Sequence, residues 1–202
     1  AMGVASSALL YLWKTSQQPL TAVKNAVDVL VAYIQENSPK DQLGLTIYTA
    51  SDGTALVERK LTDNFTKVAE IVRQRQAGHY LANTNIYDGL RVGRQELQAR
   101  ARPSAQKLIV LMTDGQANLP YNASYGKAYA RAEAQNCKNA KIPVVTISLG
   151  ADADTGLMEE IANTTGGVHF AIPGGQTVAQ YEEQLKNVFR RVAGDRGLVL
   201  VQ

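Results

Sequence analysis

Apolar positions spaced three and four residues apart predict a long amphipathic helix early in the chain. The helix begins at Pro19 and ends near Asn37, where a Ser-Pro pair follows. Proline suits the first helical turn because the N–H that it lacks would have no partner there. The apolar positions that define the buried stripe are Leu20, Val23, Ala26, Val27, Leu30, Val31 and Ile34.

Beyond this helix, short runs of β-forming residues alternate with segments of helical spacing. The predicted strands are 43–49, 55–59, 108–113, 142–149 and 168–171, with a hairpin turn at 51–53. The predicted helices include one capped by Asp63 or Asn64, one that carries Ile86, Leu90, Val92 and Leu97, one over 124–140, one capped by Asp154, and a closing helix over 178–192. This alternation predicts a doubly wound α/β fold, in which helices cover both faces of a mainly parallel central sheet.

The composition fits one α/β domain spanning residues 1–202, because 45% of the 202 residues are hydrophobic. The net charge of +3 does not predict nucleic-acid binding, since no aromatic residues interleave with the scattered basic ones. No segment is long and apolar enough for a membrane span, and no secretion signal is visible. The single cysteine, Cys137, excludes an internal disulfide and is predicted to pack inside a helix.

Two polar segments carry the candidate chemistry. The apolar run 108–112 ends in Thr113-Asp114-Gly115, which is how a buried parallel strand delivers a carboxylate to the carboxyl edge of its sheet. Open α/β sheets bind ligands at that edge, and we predict Thr84 and Asp114 as oxygen donors there. Two simpler interpretations stay open at this point. Thr84 could only cap the following helix, and Asp114-Gly115 could be a plain turn.

The order of these segments resembles the von Willebrand factor A family from Pro19 to Val192. The matching pieces are the long first helix, the segment 38–49 before a hairpin, the threonine loop 84–90, the strand segments 107–116 and 142–150, and the segment 158–170 before a final helix. The bacterial branch associated with tight-adherence (Tad) pilus assembly is similar, because its chains end in a short apolar strand like 198–201. The resemblance implies a Rossmann-like three-layer sandwich with strand order 3-2-1-4-5-6.

The resemblance also implies a metal-ion-dependent adhesion site at the top edge of that sheet. There Mg²⁺ or Mn²⁺ is held by hydroxyls and carboxylates, and an acidic residue of a protein partner completes the shell. Carried onto this chain, Thr84 is the hydroxyl ligand, Asp114 the carboxylate ligand, and Asn85 and Gln116 line the ligand-binding rim. Asp88 is expected at the helix's amino end, where the helix dipole favours negative charge. The family resemblance suggests a cell-surface, periplasmic or membrane-anchored protein.

One part of the family pattern is missing. The Asp-x-Ser-x-Ser loop, which follows the first central strand in the family, does not occur, and residues 1–18 form an atypical amino-terminal segment. Either 8–12 is a degenerate first strand followed by a degenerate loop, or the first strand lies upstream of Ala1. An empty central position would leave backbone groups unpaired, so 8–12, the carboxy-terminal strand within 197–202, or a second molecule in a homodimer must fill it. Two donors alone predict weak or absent magnesium binding.

The leading hypothesis is therefore a non-catalytic protein-binding module with an incomplete metal site. A hydrolase using Asp114 is the rival, but Gln116 stands where a second aspartate would be needed and no Walker-type phosphate loop occurs. The two histidines offer no evident catalytic base, since His79 is predicted in a loop and His169 in a strand, where a packed imidazole is the ordinary interpretation. A structural domain with a decayed metal site is the third alternative.

Overall fold

The computed structural model describes residues 19–48, 55–74, 83–173 and 177–194. The elements in chain order are α1 (Pro19–Asn37), β1 (Leu43–Tyr48), β2 (Ala55–Thr62), α2 (Phe65–Gln74), α3 (Ile86–Arg100), β3 (Ile109–Thr113), α4 (Ala123–Asn139), β4 (Val144–Leu149), α5 (Thr155–Thr165), β5 (His169–Ile172) and α6 (Val178–Gly194). The described residues form two compact units: one comprises 19–41, 69–74 and 177–194, the other 42–48, 55–68 and 83–173. Within the described part of the chain, no helix has the length and apolar character needed to cross a membrane.

The larger unit contains two groups of paired strands. β1 and β2 are antiparallel, with Leu43 opposite Thr62 and Tyr48 opposite Ala55. β3, β4 and β5 are parallel in that order, as expected for strands joined by the crossover helices α4 and α5. Among the described strands, β1 is not paired with β3. The segments predicted to fill a central position, 8–12 and 197–202, lie outside the described residues.

The core of the larger unit is built around β4, all six residues of which are buried, in keeping with a strand covered on both faces. Its Val144 belongs to a cluster of buried apolar side chains from β3, α3, α4 and α5. β3 is less buried than its apolar sequence predicts, since Leu111 and Thr113 are buried and its other three residues are half-buried. The other members of the cluster are Ile86, Leu90, Leu111, Ala117, Ala130, Ala134, Cys137, Leu157, Met158 and Ile161.

The smaller unit is helical. α1 packs against α6, and both bury apolar residues at helical spacing: Leu30, Val31 and Ile34 on α1, and Leu185, Val188 and Phe189 on α6. Asn25 on α1 also donates a 2.7 Å hydrogen bond to Glu182 on α6. The carboxyl-terminal part of α2 belongs to the same unit, where Arg73 pairs with Asp28 at 3.0 Å.

The predicted elements agree with the observed ones, and most differ only at their ends. β2 continues to Thr62, three residues beyond the predicted end, because Leu43 pairs with that residue. Asn64 rather than Asp63 accepts a backbone hydrogen bond at the start of α2, from Lys67 at 3.4 Å. Asp154 caps α5 as predicted by accepting from the amide of Leu157. The predicted hairpin turn at 51–53 and residue 49 lie outside the described residues.

Candidate functional site

The candidate site is built from two loops of the larger unit, residues 83–85 before α3 and residues 114–118 after β3. Two hydrogen bonds join these loops directly. The amide of Thr84 donates to the Asn118 side-chain oxygen at 2.8 Å, and the amide of Asn118 donates to the Thr84 carbonyl at 3.1 Å. These two hydrogen bonds fix the position of Thr84 relative to the loop that follows β3.

The Thr84 hydroxyl lies against the turn that carries Asp114. A Cβ atom added to Gly115 would stand 2.9 Å from Thr84 Oγ1, which is closer than ordinary van der Waals contact. Glycine at position 115 thus allows the hydroxyl to approach the backbone next to Asp114. The hydroxyl of Thr113 holds the same turn, because it lies 3.3 Å from both the amide and the carbonyl oxygen of Gly115.

The four predicted site residues differ in exposure and in what their side chains contact. Asp114 and Gln116 are exposed, whereas Thr84 is half-buried. Asn85 is buried, and its side-chain oxygen caps α3 by accepting from the amide of Asp88 at 3.1 Å. The simpler interpretation of Thr84 as the helix cap is therefore wrong, because Asn85 performs that role. The ligand-binding role of Asn85 stays a prediction.

Asp88 lies in the first turn of α3, as expected, and its carboxylate ties the site loop to two other parts of the unit. One oxygen accepts the amide of Ala55 at the start of β2, and the other pairs with Arg91 at 2.5 Å. The side chain is almost fully buried, so these partners compensate the cost of removing the charge from water. Asp88 therefore supports the loop and is not presented at the rim.

A third loop reaches the same rim. The amide of Asp154 donates to the carbonyl of Gly115 at 3.4 Å, which places the loop after β4 beside the loop after β3. The Asp154 carboxylate also lies 2.8 Å from Lys127 Nζ, an ion contact without the alignment of a good hydrogen bond. The sequence predicted Asp154 only as a helix cap. Its position at the rim depends on a contact between residues far apart in the chain.

Tyr48 lies beneath the rim and was not predicted from the sequence. Its hydroxyl donates to the carbonyl of Met112, next to Thr113, and its ring packs on Gly89, where an added Cβ would lie 2.7 Å from a ring carbon. Burial raises the pKa of this phenol, a hydrogen bond with Thr113 lowers it, and the charge of Asp114 raises it further. Tyr48 is therefore a neutral donor that connects β1 with the end of β3.

His169 and Cys137, which were also considered for catalysis, are engaged elsewhere, and His79 lies outside the described residues. The Thr146 hydroxyl donates to the Met158 carbonyl at 2.9 Å, so the 2.9 Å contact between Thr146 and His169 is donated by the imidazole Nδ1. Burial lowers the pKa of His169, as expected for a packed neutral ring. Burial and then the charge of Glu133 raise the pKa of the Cys137 thiol to about 12, so it is an inert packing group.

Among the described residues, no group of three or more His, Cys, Asp or Glu side chains is placed to hold a metal ion. The Thr84 hydroxyl and the Asp114 carboxylate belong to the two neighbouring loops, and both are hard oxygen ligands of the kind that Mg²⁺ and Mn²⁺ prefer. The donor set therefore fits such an ion in chemistry but supplies few ligands. Water and an external carboxylate would have to complete the shell.

Comparison with known proteins identifies the fold. The model of the von Willebrand factor type A domain matches residues 13–192, and the chain therefore belongs to this family. Members of the family typically mediate protein interactions or adhesion and are generally not catalytic. No curated protein matches the chain by sequence.

Solved structures support the same assignment. BatB from Bacteroides thetaiotaomicron is similar, with a TM-score of 0.65, 14% identity, and coverage of 89% of this chain and 90% of that one. The PilB minor pilin from Streptococcus sanguinis has a TM-score of 0.69 at 14% identity, covering 91% of this chain and 56% of that one. The SpRpn10 VWA domain has a TM-score of 0.63 at 15% identity, covering 81% and 82%. At these identities the likeness concerns the fold alone, and it confirms the α/β class predicted from the sequence.

Proposed function

We propose that this chain is a non-catalytic protein-binding module of the adhesion type, with its binding site at the rim formed by Thr84 and Asp114. The observation that carries the proposal is the approach of the Thr84 hydroxyl to the turn that bears Asp114. The two hydrogen bonds between Thr84 and Asn118 support the proposal, because they hold the two loops together before any ligand binds.

In this proposal, Thr84 and Asp114 are the ligands of a weakly held Mg²⁺ or Mn²⁺ ion. The ion supplies a positive centre that an acidic side chain of the partner protein can coordinate. Asn85 and Gln116 flank the position, and the exposed Gln116 is suited to hydrogen-bond the partner directly. Because the residues offer few ligands, we expect tight ion binding only when the partner's carboxylate completes the shell.

The finer part of the proposal is a role in pilus or cell-surface assembly, as in the tight-adherence branch that the sequence resembles. It is supported by the likeness in fold to a minor pilin and to an aerotolerance-related membrane protein from Bacteroides fragilis. Surface exposure of the rim residues Asp114 and Gln116 is compatible with docking of another subunit.

Titration with magnesium tests the ion site. We expect a dissociation constant in the millimolar range, so that about 10 mM magnesium stabilises the protein by about 1 kcal/mol. Thr84→Ala and Asp114→Ala should remove this stabilisation in thermal unfolding. Asp152→Ala is the matched control, because Asp152 is an exposed carboxylate on the neighbouring loop and should leave the response unchanged.

Three outcomes would contradict parts of the proposal. Micromolar magnesium binding would show that the site is more complete than the two donors suggest. An unchanged response in Asp114→Ala would place the ion elsewhere. No response to magnesium or manganese at any concentration, even with an acidic partner peptide present, would favour a structural domain whose metal site has decayed.

A further inference from the structure

Four tyrosines form a surface on the larger unit, which we call the tyrosine ridge: Tyr121, Tyr125 and Tyr129, which are exposed, and Tyr87, which is half-buried. Tyr121 is 79% exposed and Tyr125 is 55% exposed, and their rings meet edge to face with centroids 5.8 Å apart. Tyr87 on α3 and Tyr129 on α4 form a second edge-to-face pair at 5.3 Å. Nine tyrosines occur in the chain, so nearly half of them lie on this one surface.

The ridge is held in place before any partner binds. Gly126 lets the preceding loop lie directly on α4, because a Cβ atom there would stand 2.8 Å from the Leu119 carbonyl oxygen. Asn122 caps α4 by accepting from the amides of Ser124 and Tyr125. Tyr121 has a φ of 69°, a backbone conformation that residues other than glycine rarely adopt. The fold thus maintains strain at the most exposed of the four tyrosines, a pattern found at binding sites.

The ridge is electrically neutral. Between Tyr121 and Ala130 the only charged side chain is Lys127, which pairs with Asp154 at 2.8 Å. Beside Tyr87 on α3, Arg91 pairs with Asp88. Beyond Tyr129, Arg131 pairs with Glu160 at 2.8 Å. A complementary partner therefore presents apolar surface and hydrogen-bond acceptors and carries no strong charge.

We propose that the tyrosine ridge binds a proline-rich segment of a partner protein in the polyproline II conformation. The exposed faces and edges of these inclined rings can pack against pyrrolidine rings, while the phenol hydroxyls can donate to the backbone carbonyls. A polyproline II helix makes no internal hydrogen bonds, so its carbonyls are available, and it loses little entropy on binding. Tyrosine itself contributes a large contact area with few rotatable bonds.

The same chemistry disfavours a sugar as the occupant. Recognition of many hydroxyl groups generally uses carboxylates beside the aromatic rings, whereas Asp88, Asp154 and Glu160 are already in ion pairs. A proline-rich segment needs only donors and an uncharged aromatic surface, and the ridge supplies both. The proposal rests on the proposed function only in taking the partner to be a protein, because contact with the ridge requires no metal ion.

The test is titration of the full chain with an acetylated, amidated decaproline peptide, followed by isothermal calorimetry. We expect a dissociation constant below about 1 mM. Tyr121→Asn should weaken binding about tenfold, because it removes an aromatic side chain from the contact surface. Asparagine removes the ring but tolerates positive φ, so the backbone is not strained. Tyr125→Phe should weaken binding by a smaller factor through loss of one hydroxyl donor.

Two controls test whether binding is specific to the tyrosine ridge and to proline. Val168→Ala changes another exposed apolar residue, 51% exposed on a different loop, and should leave the affinity unchanged. A glycine-serine decapeptide should not bind, because it lacks both the pyrrolidine rings and the preformed helix. Any one of three results would overturn the proposal. These are equal binding of the glycine-serine peptide, an affinity for decaproline that Tyr121→Asn does not change, and binding of a linear glucose oligomer in place of decaproline.

Metal dependence separates this inference from the proposed ion site. Titrations in EDTA and in about 10 mM magnesium should give the same dissociation constant for decaproline. Failure of the magnesium experiment would leave that result intact. Conversely, loss of decaproline binding in EDTA would overturn the ridge as an independent contact surface, while leaving Thr84 and Asp114 to be judged by their own titration.

Discussion

Ile86→Ala should lower the free energy of unfolding by about 3 kcal/mol, within the range for large-to-small core substitutions. Ile86 is fully buried in the cluster that also contains Leu111 of β3 and Ala117 of the following loop. Truncation removes apolar burial and leaves a cavity where the first turn of α3 meets these elements. Because Asn85 and Thr84 immediately precede this residue, we also expect faster amide exchange at Thr84.

Urea denaturation followed by circular dichroism measures this effect. Val168→Ala is the control, because Val168 is exposed and its truncation should change the free energy of unfolding by less than about 0.5 kcal/mol. A loss below about 1 kcal/mol for Ile86→Ala would contradict the prediction. It would mean that the loop before α3 is positioned by its hydrogen bonds alone and not by the core beneath it.

Glu133→Ala should cost about 2–3 kcal/mol of folding free energy. Glu133 is 2% exposed, pairs with Arg94 at 2.5 Å and accepts from Asn136 at 2.8 Å, so it braces α3 against α4. Its removal leaves the Arg94 charge without its acidic partner. The cost stays below that of a fully buried pair, because the Arg94 side chain is 17% exposed and also donates to Gln98 at 2.8 Å.

An exposed pair between α4 and α5 provides the matched comparison. Arg131 and Glu160 lie 2.8 Å apart, but both side chains are about half exposed, so Glu160→Ala should cost less than about 1 kcal/mol. A double-mutant cycle through Arg94→Ala and Glu133→Ala should give a coupling energy above about 1 kcal/mol. Equal costs for Glu133→Ala and Glu160→Ala would show that burial of the first pair has no energetic consequence.

The fold could be predicted because its signals are local. Helical spacing identified α1 and α6, and an apolar run ending in Thr113-Asp114-Gly115 identified both β3 and the carboxylate at its end. The helix cap at Asn85 could also have been found, since asparagine is a better cap than threonine and Asp88 follows three residues later. Thr84 is the less favourable capping residue of the two.

Contacts between distant residues could not be predicted in this way. Nothing in the sequence around Asn118 shows that it bonds to Thr84, thirty-four residues away. The position of Tyr48 beneath Met112 and that of Asp154 beside Gly115 likewise depend on how strands and loops assemble. The four-residue spacing of Tyr121, Tyr125 and Tyr129 is visible in the sequence, but the pairing of Tyr129 with Tyr87 requires knowledge that α3 and α4 are neighbours.

The paired hydrogen bonds between Thr84 and Asn118 restrict how chain length can evolve at the rim. Adding or deleting a residue between Thr113 and Asn118 would pull these bonds out of register and displace Asp114. Related chains that keep both residues should therefore have the same number of residues in this interval. Insertions and deletions should accumulate after position 118, where loop length is free to follow the shape of each partner.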